Sequence, residues 1–130
     1  MKRTNEIRRF IDRFLKSSDR SNIHPDDIVV DVFGDSPALQ NQLIALILAG
    51  TKTATCTDLW SWEKEQDTPI VPGMLTLALD GFGRPRCIIE TVKVEQTTYE
   101  EVTAEFARAE GEHEPLDLPD DLVLENWRTY

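Results

Sequence analysis

The sequence predicts a mixed α+β domain in which helices flank a curved, mostly antiparallel sheet. Two observations predict this class. Segments 4–18 and 36–48 repeat apolar residues at helical spacing. Segments 75–79 and 87–94 have strand composition and are joined through an Asp-Gly turn, which is typical of a β-hairpin. The expected helices are 4–17, 37–49 and 99–109, and the expected strands, all in one sheet, are 28–33, 53–57, 75–79 and 87–95.

The composition is that of one globular domain. The 130 residues are 40% hydrophobic and 29% charged, which is enough apolar material for a packed core. The formal net charge of −10 argues against tight, non-specific binding to long nucleic acids, because that affinity comes from neutralised phosphates. A local basic patch stays compatible with this charge.

Neither a membrane segment nor a metal site is expected. No apolar run approaches the roughly 20 residues of a membrane span, and the N-terminus lacks the apolar core of a signal peptide. We therefore expect a cytoplasmic protein that has no membrane partner. The cysteines (Cys56, Cys87) and histidines (His24, His113) are too few and scattered for zinc, so we expect reduced thiols, no metal and no cofactor. An oligomer is compatible with the sequence but is not indicated by it.

Residues 1–27 are expected to form an amphipathic helix and a loop ahead of a domain over 28–130, the two making one compact unit. An apolar stripe at i, i+3, i+4, i+7 and i+8 consists of Ile7, Phe10, Ile11, Phe14 and Leu15. The other faces carry the most basic set of the chain, namely Arg3, Arg8, Arg9, Arg13 and Lys16. The helix either packs on the core with this stripe or also offers a positive rim for phosphate.

A lysine stands at the corner between the second helix and a threonine-rich segment. Ser36 as N-cap, Pro37 in the first turn and Gly50 beyond the end delimit the helix. Residues 51–57 then favour a strand, because threonine is poor in helices and good in strands. Lys52 at this corner is a candidate for chemistry. The alternative is that it complements the negative end of the second helix.

Two tryptophans, Trp60 and Trp62, follow the corner and lie on one face if the chain is extended there. Close to a cation, such a pair could stack a planar ligand. Tryptophans also pack commonly in cores, so the pattern leaves a structural role open.

The pattern places the start of the third helix at Thr98. Thr98 and Glu101 have the spacing of a capping box, and the helix is expected to stop near Gly111. Residues 113–121 are an acidic, proline-bearing loop by composition, and 122–128 are expected to form a short final helix.

Several segments together resemble the ASCH family, over about residues 30–127. They are Gly50-Thr51-Lys52-Thr53-Ala54-Thr55, Leu59-Trp60-Ser61-Trp62-Glu63, the hairpin, and Phe106-Ala107-Arg108-Ala109-Glu110-Gly111-Glu112. The resemblance implies a β-barrel, flanked by helices, that is related to the PUA domains of RNA-modifying proteins. It also implies that RNA or a modified nucleoside is the ligand, bound in a cleft between barrel and helices.

The same resemblance implies an activity. ASCH proteins include small amidohydrolases that remove an acetyl group from the exocyclic amine of acetylated cytidine, and ribonuclease activity on single-stranded RNA has been ascribed to others. By motif match, the catalytic lysine, threonine and glutamate of the amidohydrolases fall on Lys52, Thr55 and Glu110. The candidate substrate-binding residues are Trp60, Trp62, Arg84, Arg86 and Glu112.

These residue types suit hydrolysis of an amide. A threonine hydroxyl needs a base to take its proton, which a neutral lysine can do, and a carboxylic acid can protonate the departing amine. An ionised Glu110 close by would favour the charged form of Lys52, which suits stabilisation of an oxyanion better than duty as a base. Because residues three apart on a regular strand face opposite ways, Lys52 and Thr55 can share a pocket only at a turn or bulge.

Three functions are open: a hydrolase of modified nucleosides, an RNA-binding module with or without ribonuclease activity, and a regulatory domain in which Lys52 anchors a phosphate. The acidic net charge favours the first, because a small ligand needs no track of phosphate contacts. Two departures from the family pattern bear on the site. The loop at 113–118 is longer than expected, and the chain ends at Tyr130 where family members usually add a strand. We therefore expect an incomplete barrel or a shortened chain.

Overall fold

The computed structural model describes residues 3–20, 22–56 and 70–111. Within these ranges the backbone forms three α-helices and three strands, which confirms the mixed α+β class. In chain order they are α1 (Asn5–Ser17), β1 (Val29–Val32), α2 (Pro37–Leu48), β2 (Leu75–Leu79), β3 (Pro85–Glu90) and α3 (Ala104–Glu110).

The chain divides into two compact units. The first consists of residues 1–44 and 70–94, and it holds α1, the sheet and most of α2. The second consists of residues 45–69 and 95–130, and it holds the end of α2 and all of α3. The predicted catalytic residues all belong to the second unit, whereas Arg84 and Arg86 belong to the first.

The apolar stripe of α1 supplies one side of the core of the first unit. The helix begins after Thr4, whose hydroxyl accepts a hydrogen bond from the backbone N–H of Ile7 at 3.2 Å. The buried set joins three residues of the helix to Ile28 and to three residues of the central strand: Ile7, Ile11, Leu15, Ile28, Leu75, Leu77 and Leu79. Phe10 and Phe14 lie at the edge of this core and are only partly buried. The predicted helix is therefore confirmed, with its stripe facing the sheet.

β2 is the central strand of the sheet, which has the order β1–β2–β3. It runs antiparallel to β3, with Leu77 opposite Ile88, so the predicted hairpin is confirmed. On the other side, β1 runs parallel to β2, with Val30 opposite Leu77. A parallel pair needs a long crossover connection, and α2 lies within the one between these strands. The sheet thus has one parallel and one antiparallel pair, and over the described ranges it does not close into a barrel.

Two predicted strands differ from the observed ones. Residues 53–56 form no strand, because the N–H groups of Thr53 and Ala54 donate to the carbonyl of Ala109 in α3. Residue 57 lies outside the described part of the chain. β3 ends at Glu90 and not at residue 95, since Glu90 lies opposite Leu75, where β2 begins.

The third helix starts later than its capping-box pattern predicts. Residues Tyr99–Glu101 form only a 3₁₀ turn, in which the hydroxyl of Thr98 bonds the carboxylate of Glu101 at 2.9 Å. The chain is extended at Val102, and α3 begins after Thr103, whose hydroxyl accepts the N–H of Phe106 at 3.1 Å. Thr98 and Thr103 are both candidates for the N-cap of this helix, and Thr103 is the one that caps it. The predicted final helix over 122–128 lies outside the described residues.

Of the helices in the described ranges, none combines the length and the apolar composition needed to cross a lipid bilayer.

Candidate functional site

The chain after α2 folds onto the C-terminal end of α3. The backbone N–H groups of Thr53 and Ala54 both donate to the carbonyl oxygen of Ala109, at 2.6 and 2.9 Å. The last carbonyls of a helix lack partners within the helix, so this segment satisfies one of them. At its other side, the N–H groups of Thr51 and Lys52 donate to the carbonyl of Leu46, at 3.0 and 3.1 Å. One short segment therefore closes the C-terminal ends of both α2 and α3.

Gly111 permits this close approach. It ends α3 in the left-handed conformation, with φ of +65°. A Cβ atom at this position would lie 2.4 Å from the carbonyl oxygen of Thr51, which is closer than real Cβ atoms come. Both the backbone angle and the contact therefore require glycine.

Lys52 is buried within this arrangement, with 5% of its surface exposed. Its Nζ donates to the carbonyl oxygen of Ala54 at 2.8 Å and to that of Glu110 at 3.3 Å. Since Glu110 is the last residue of α3, the lysine charge lies at the negative end of that helix. The sequence-based alternative placed the lysine at the end of α2. Its backbone N–H does donate to the carbonyl of Leu46 in α2, and its side chain donates to the end of α3.

Glu110 is brought to Lys52 from a segment 58 residues away. Only 6% of the residue is exposed, because it lies on the buried face of α3 with Ala104 and Ala107. Thr55 lies three residues beyond Lys52 on the same segment, and it is exposed. The lysine and the glutamate of the predicted centre are thus neighbours, while the roles predicted for all three residues stay predictions.

Three of the predicted substrate-binding residues, Trp60, Trp62 and Glu112, lie outside the described residues. Their roles also stay predictions. Among the residues that the structure describes, no three metal-ligating side chains come together.

The other two predicted substrate-binding residues, Arg84 and Arg86, belong to the turn and strand that follow β2 in the first unit. Both are exposed and are held by Asp80, which the sequence identifies only as a turn residue. Oδ1 of Asp80 accepts the backbone N–H groups of Phe82 and Arg84, at 2.9 and 3.1 Å. Oδ2 lies 3.5 Å from a guanidinium nitrogen of Arg86. The pattern of an aspartate two and four residues ahead of its N–H donors could have identified this turn.

Asp80 is almost fully buried yet charged. Burial alone would raise the pKa of its carboxyl group, but the N–H groups of Arg84 and Phe82 and the guanidinium of Arg86 together hold that pKa below its ordinary value. The turn is also fixed on α2: the N–H of Gly81 donates to the side-chain oxygen of Asn41 at 2.8 Å. Arg86 is therefore a partly exposed cation on a rigid support.

Replacing Asp80 with asparagine should lower the free energy of unfolding by about 1–2 kcal/mol at neutral pH, because buried hydrogen bonds to a charged acceptor are weakened. Since the folded pKa lies below the unfolded one, the carboxylate stabilises fully above the unfolded pKa of about 4, and that contribution is lost as the pH falls through the folded pKa. Urea unfolding at several pH values checks both effects. Asp27→Asn, which removes the same charge from an exposed position, should change stability little. Equal effects of the two variants would contradict the role assigned to the buried carboxylate.

Comparisons with known proteins relate the chain to ASCH domains. The model of the family described as "ASCH domain" matches residues 29–130. The crystal structure of protein EF3133 from Enterococcus faecalis V583 is 31% identical and has a TM-score of 0.68, with 92% of this chain and 71% of that chain covered. The crystal structure of an ASCH domain from Lactobacillus crispatus JV V101 is 24% identical and also has a TM-score of 0.68, with 92% and 77% covered. No curated protein matches the chain significantly.

Proposed function

Because the chain belongs to the ASCH domain family, we propose that it binds RNA or a modified nucleoside and hydrolyses it. The most concrete form of this proposal is an amidohydrolase that acts on cytidine acylated on its exocyclic amine. The observation that carries it is the buried pair of Lys52 and Glu110, which come from distant segments of the chain. Nζ of Lys52 lies 3.3 Å from the main-chain oxygen of Glu110.

The contacts of Lys52 support an electrostatic role. Its Nζ donates to two carbonyl oxygens, an arrangement that suits an ammonium group better than a free base. A fixed positive charge in a buried site stabilises the oxyanion that forms when the acyl carbonyl is attacked. These contacts support charge stabilisation as the proposed role of Lys52.

The other two roles follow from the same chemistry. Thr55 is exposed on the segment that holds Lys52, where its hydroxyl can meet a substrate and attack the acyl carbon. Glu110 takes the proton of the attacking Thr55 hydroxyl and delivers it to the departing cytidine amine. Water then cleaves the threonyl ester: its oxygen joins the acyl group, which leaves as the free acid, and its proton passes through Glu110 to the threonine oxygen. Trp60 and Trp62 are proposed to stack the base and Glu112 to bind another part of the ligand. Ligand binding by Arg84 and Arg86 stays a separate prediction for the first unit.

A second candidate function is an RNA-binding module without catalysis. One observation favours it specifically: Nζ of Lys52 donates to two main-chain carbonyls, that of Glu110 at the end of α3 and that of Ala54 on the lysine's own segment. A lysine that satisfies the end of a helix is explained without any substrate. In this case the protein would bind oligonucleotides in a salt-dependent way but would not turn over an acyl-nucleoside.

Glu110→Gln tests the hydrolase directly. The bond from Lys52 goes to the main chain of Glu110, so this change removes the acid and leaves that bond in place. We expect the rate of N4-acetylcytidine hydrolysis, followed by chromatography of released cytidine, to fall about 100-fold or more. Thr55→Val should reduce it comparably, because both groups serve one reaction.

The control is Thr53→Val. Thr53 is an exposed threonine two residues before Thr55, and its hydroxyl makes only a 3.4 Å contact with the carbonyl of Ala109. This variant should keep the wild-type rate. A fully active Glu110→Gln protein would exclude the acid role and would leave the binding module as the better account.

A further inference from the structure

A groove between α1 and β3 is lined by residues to which the proposed function assigns no role. Its volume is about 740 Å³, and it belongs wholly to the first unit. It is lined by Phe10, Arg13, Phe14, Lys16, Ser17 and Ile88. Two aromatic rings and two cations thus face one open depression.

Guanidinium groups lie over both of these rings. The Cζ atom of Arg13 is 5.9 Å from the ring centroid of Phe10, and that of Arg20 is 5.6 Å from the ring centroid of Phe14. Arg20 also pairs with Glu90 at 3.1 Å, which holds it in place. Each guanidinium lies within the range of a cation–π contact with its ring, and nucleic-acid bases stack on aromatic rings and on guanidinium groups.

The charge around the groove is opposite to that of the whole molecule. The chain carries a net charge of −10, yet α1 has four cationic and only two acidic residues. The acidic ones, Glu6 and Asp12, line a neighbouring depression together with Arg9, Arg13 and Lys16. Of the described residues that line the groove itself, none is acidic. The groove therefore favours an anionic ligand.

We propose that the α1–β3 groove binds single-stranded nucleic acid. Bases stack on the phenyl–guanidinium pairs, while Arg13 and Lys16 meet phosphates. A single strand is the ligand that offers flat apolar rings and a regular row of negative charge together. The inference does not rest on hydrolysis at Lys52, because it concerns residues of the other unit and is tested by binding alone.

The affinity should be modest and should depend strongly on salt. About two phosphate contacts give a slope of about −1.4 for the logarithm of the association constant against the logarithm of the salt concentration, at about −0.7 per contact for a single strand. Comparison of a uridine oligomer with a deoxythymidine oligomer, both of about ten nucleotides, tells whether RNA is preferred.

Fluorescence anisotropy of these labelled oligomers, with the full chain at about 20–200 mM salt, tests the proposal. Arg13→Glu should weaken binding about tenfold or more. Phe14→Leu keeps the side chain apolar but removes the stacking ring, and it should weaken binding about fivefold or more. Uridine monophosphate should compete poorly, because it offers a single phosphate.

Arg8→Glu is the matched control. Arg8 is an exposed cation of α1 that does not line the groove, and this variant changes the net charge as Arg13→Glu does. It should bind about as the wild type does, and circular dichroism should show all variants folded. Equal losses in Arg8→Glu and Arg13→Glu would mean diffuse attraction and no groove site. Binding that survives both Arg13→Glu and Phe14→Leu, or no binding at low salt, would also overturn the proposal.

Discussion

Replacing Lys52 with alanine should reduce hydrolysis of an acyl-cytidine about 100-fold or more and should also lower the free energy of unfolding by about 2–4 kcal/mol. The first effect follows from loss of the charge that stabilises the oxyanion. The second follows because the carbonyls of Ala54 and Glu110 lose a donor in a buried place. A lysine at a chain corner would be expected to contribute little to stability. The burial of this one reverses that expectation.

Two measurements separate these effects. Urea unfolding gives the change in stability, and the hydrolysis rate is then measured at a temperature at which the variant is still folded. Arg8→Ala, which removes an exposed cation of α1, should leave both quantities nearly unchanged. Adding Thr55→Val to Lys52→Ala should cause little further loss of activity, because residues that act as a unit are far from additive. A folded Lys52→Ala protein that hydrolyses at the wild-type rate would exclude a catalytic role for Lys52 and leave it only the structural role at the end of α3.

Gly111→Ala should destabilise the second unit by about 2–5 kcal/mol. The left-handed backbone of this residue costs an alanine about 1–2 kcal/mol. A further cost, about 1–3 kcal/mol for overpacking, arises because the new Cβ would come within 2.4 Å of the carbonyl oxygen of Thr51. The segment that carries Lys52 has to shift, so hydrolysis should fall as well, even in the folded fraction.

Gly50→Ala isolates the contribution of the close contact. Gly50 lies in the same unit, also has a positive φ of +81°, and has nothing within 4 Å of the place where a Cβ would stand. It should lose only the conformational part, about 1–2 kcal/mol. Unfolding curves of the two variants give the difference. Equal destabilisation would mean that the contact between Gly111 and Thr51 relaxes without cost.

The sequence predicted those elements whose signals are local. α1 and α2 have caps and apolar spacing that span their whole length, and the β2–β3 hairpin has a turn that joins its own two strands. The parallel partner of β2 was not predictable in this way. β1 precedes β2 by more than forty residues, with Val29 opposite Thr76, and nothing in its composition states the direction of pairing.

The candidate site also depends on contacts between distant segments, which the sequence does not predict. The threonines after Gly50 favour a strand, and only the fold reveals that the N–H groups of Thr53 and Ala54 are taken by Ala109. Motif resemblance named Lys52 and Glu110, which the structure brings together. The motifs could not show that main-chain oxygens, one of them on Glu110, accept hydrogen bonds from the lysine. Every residue has a main-chain oxygen, so the sequence does not indicate which of them will accept.

The main-chain partners of Lys52 bear on how the protein can tolerate genetic change. A side chain that anchors a lysine can be lost through one substitution, but the carbonyl oxygens of Ala54 and Glu110 are present whatever residue is encoded there. These two bonds are therefore indifferent to the identity of the side chains at both positions. New side chains at position 110 could alter the chemistry around the lysine while these two bonds are kept. Descendants of this scaffold could thus diverge in substrate without losing these two supports of their cation.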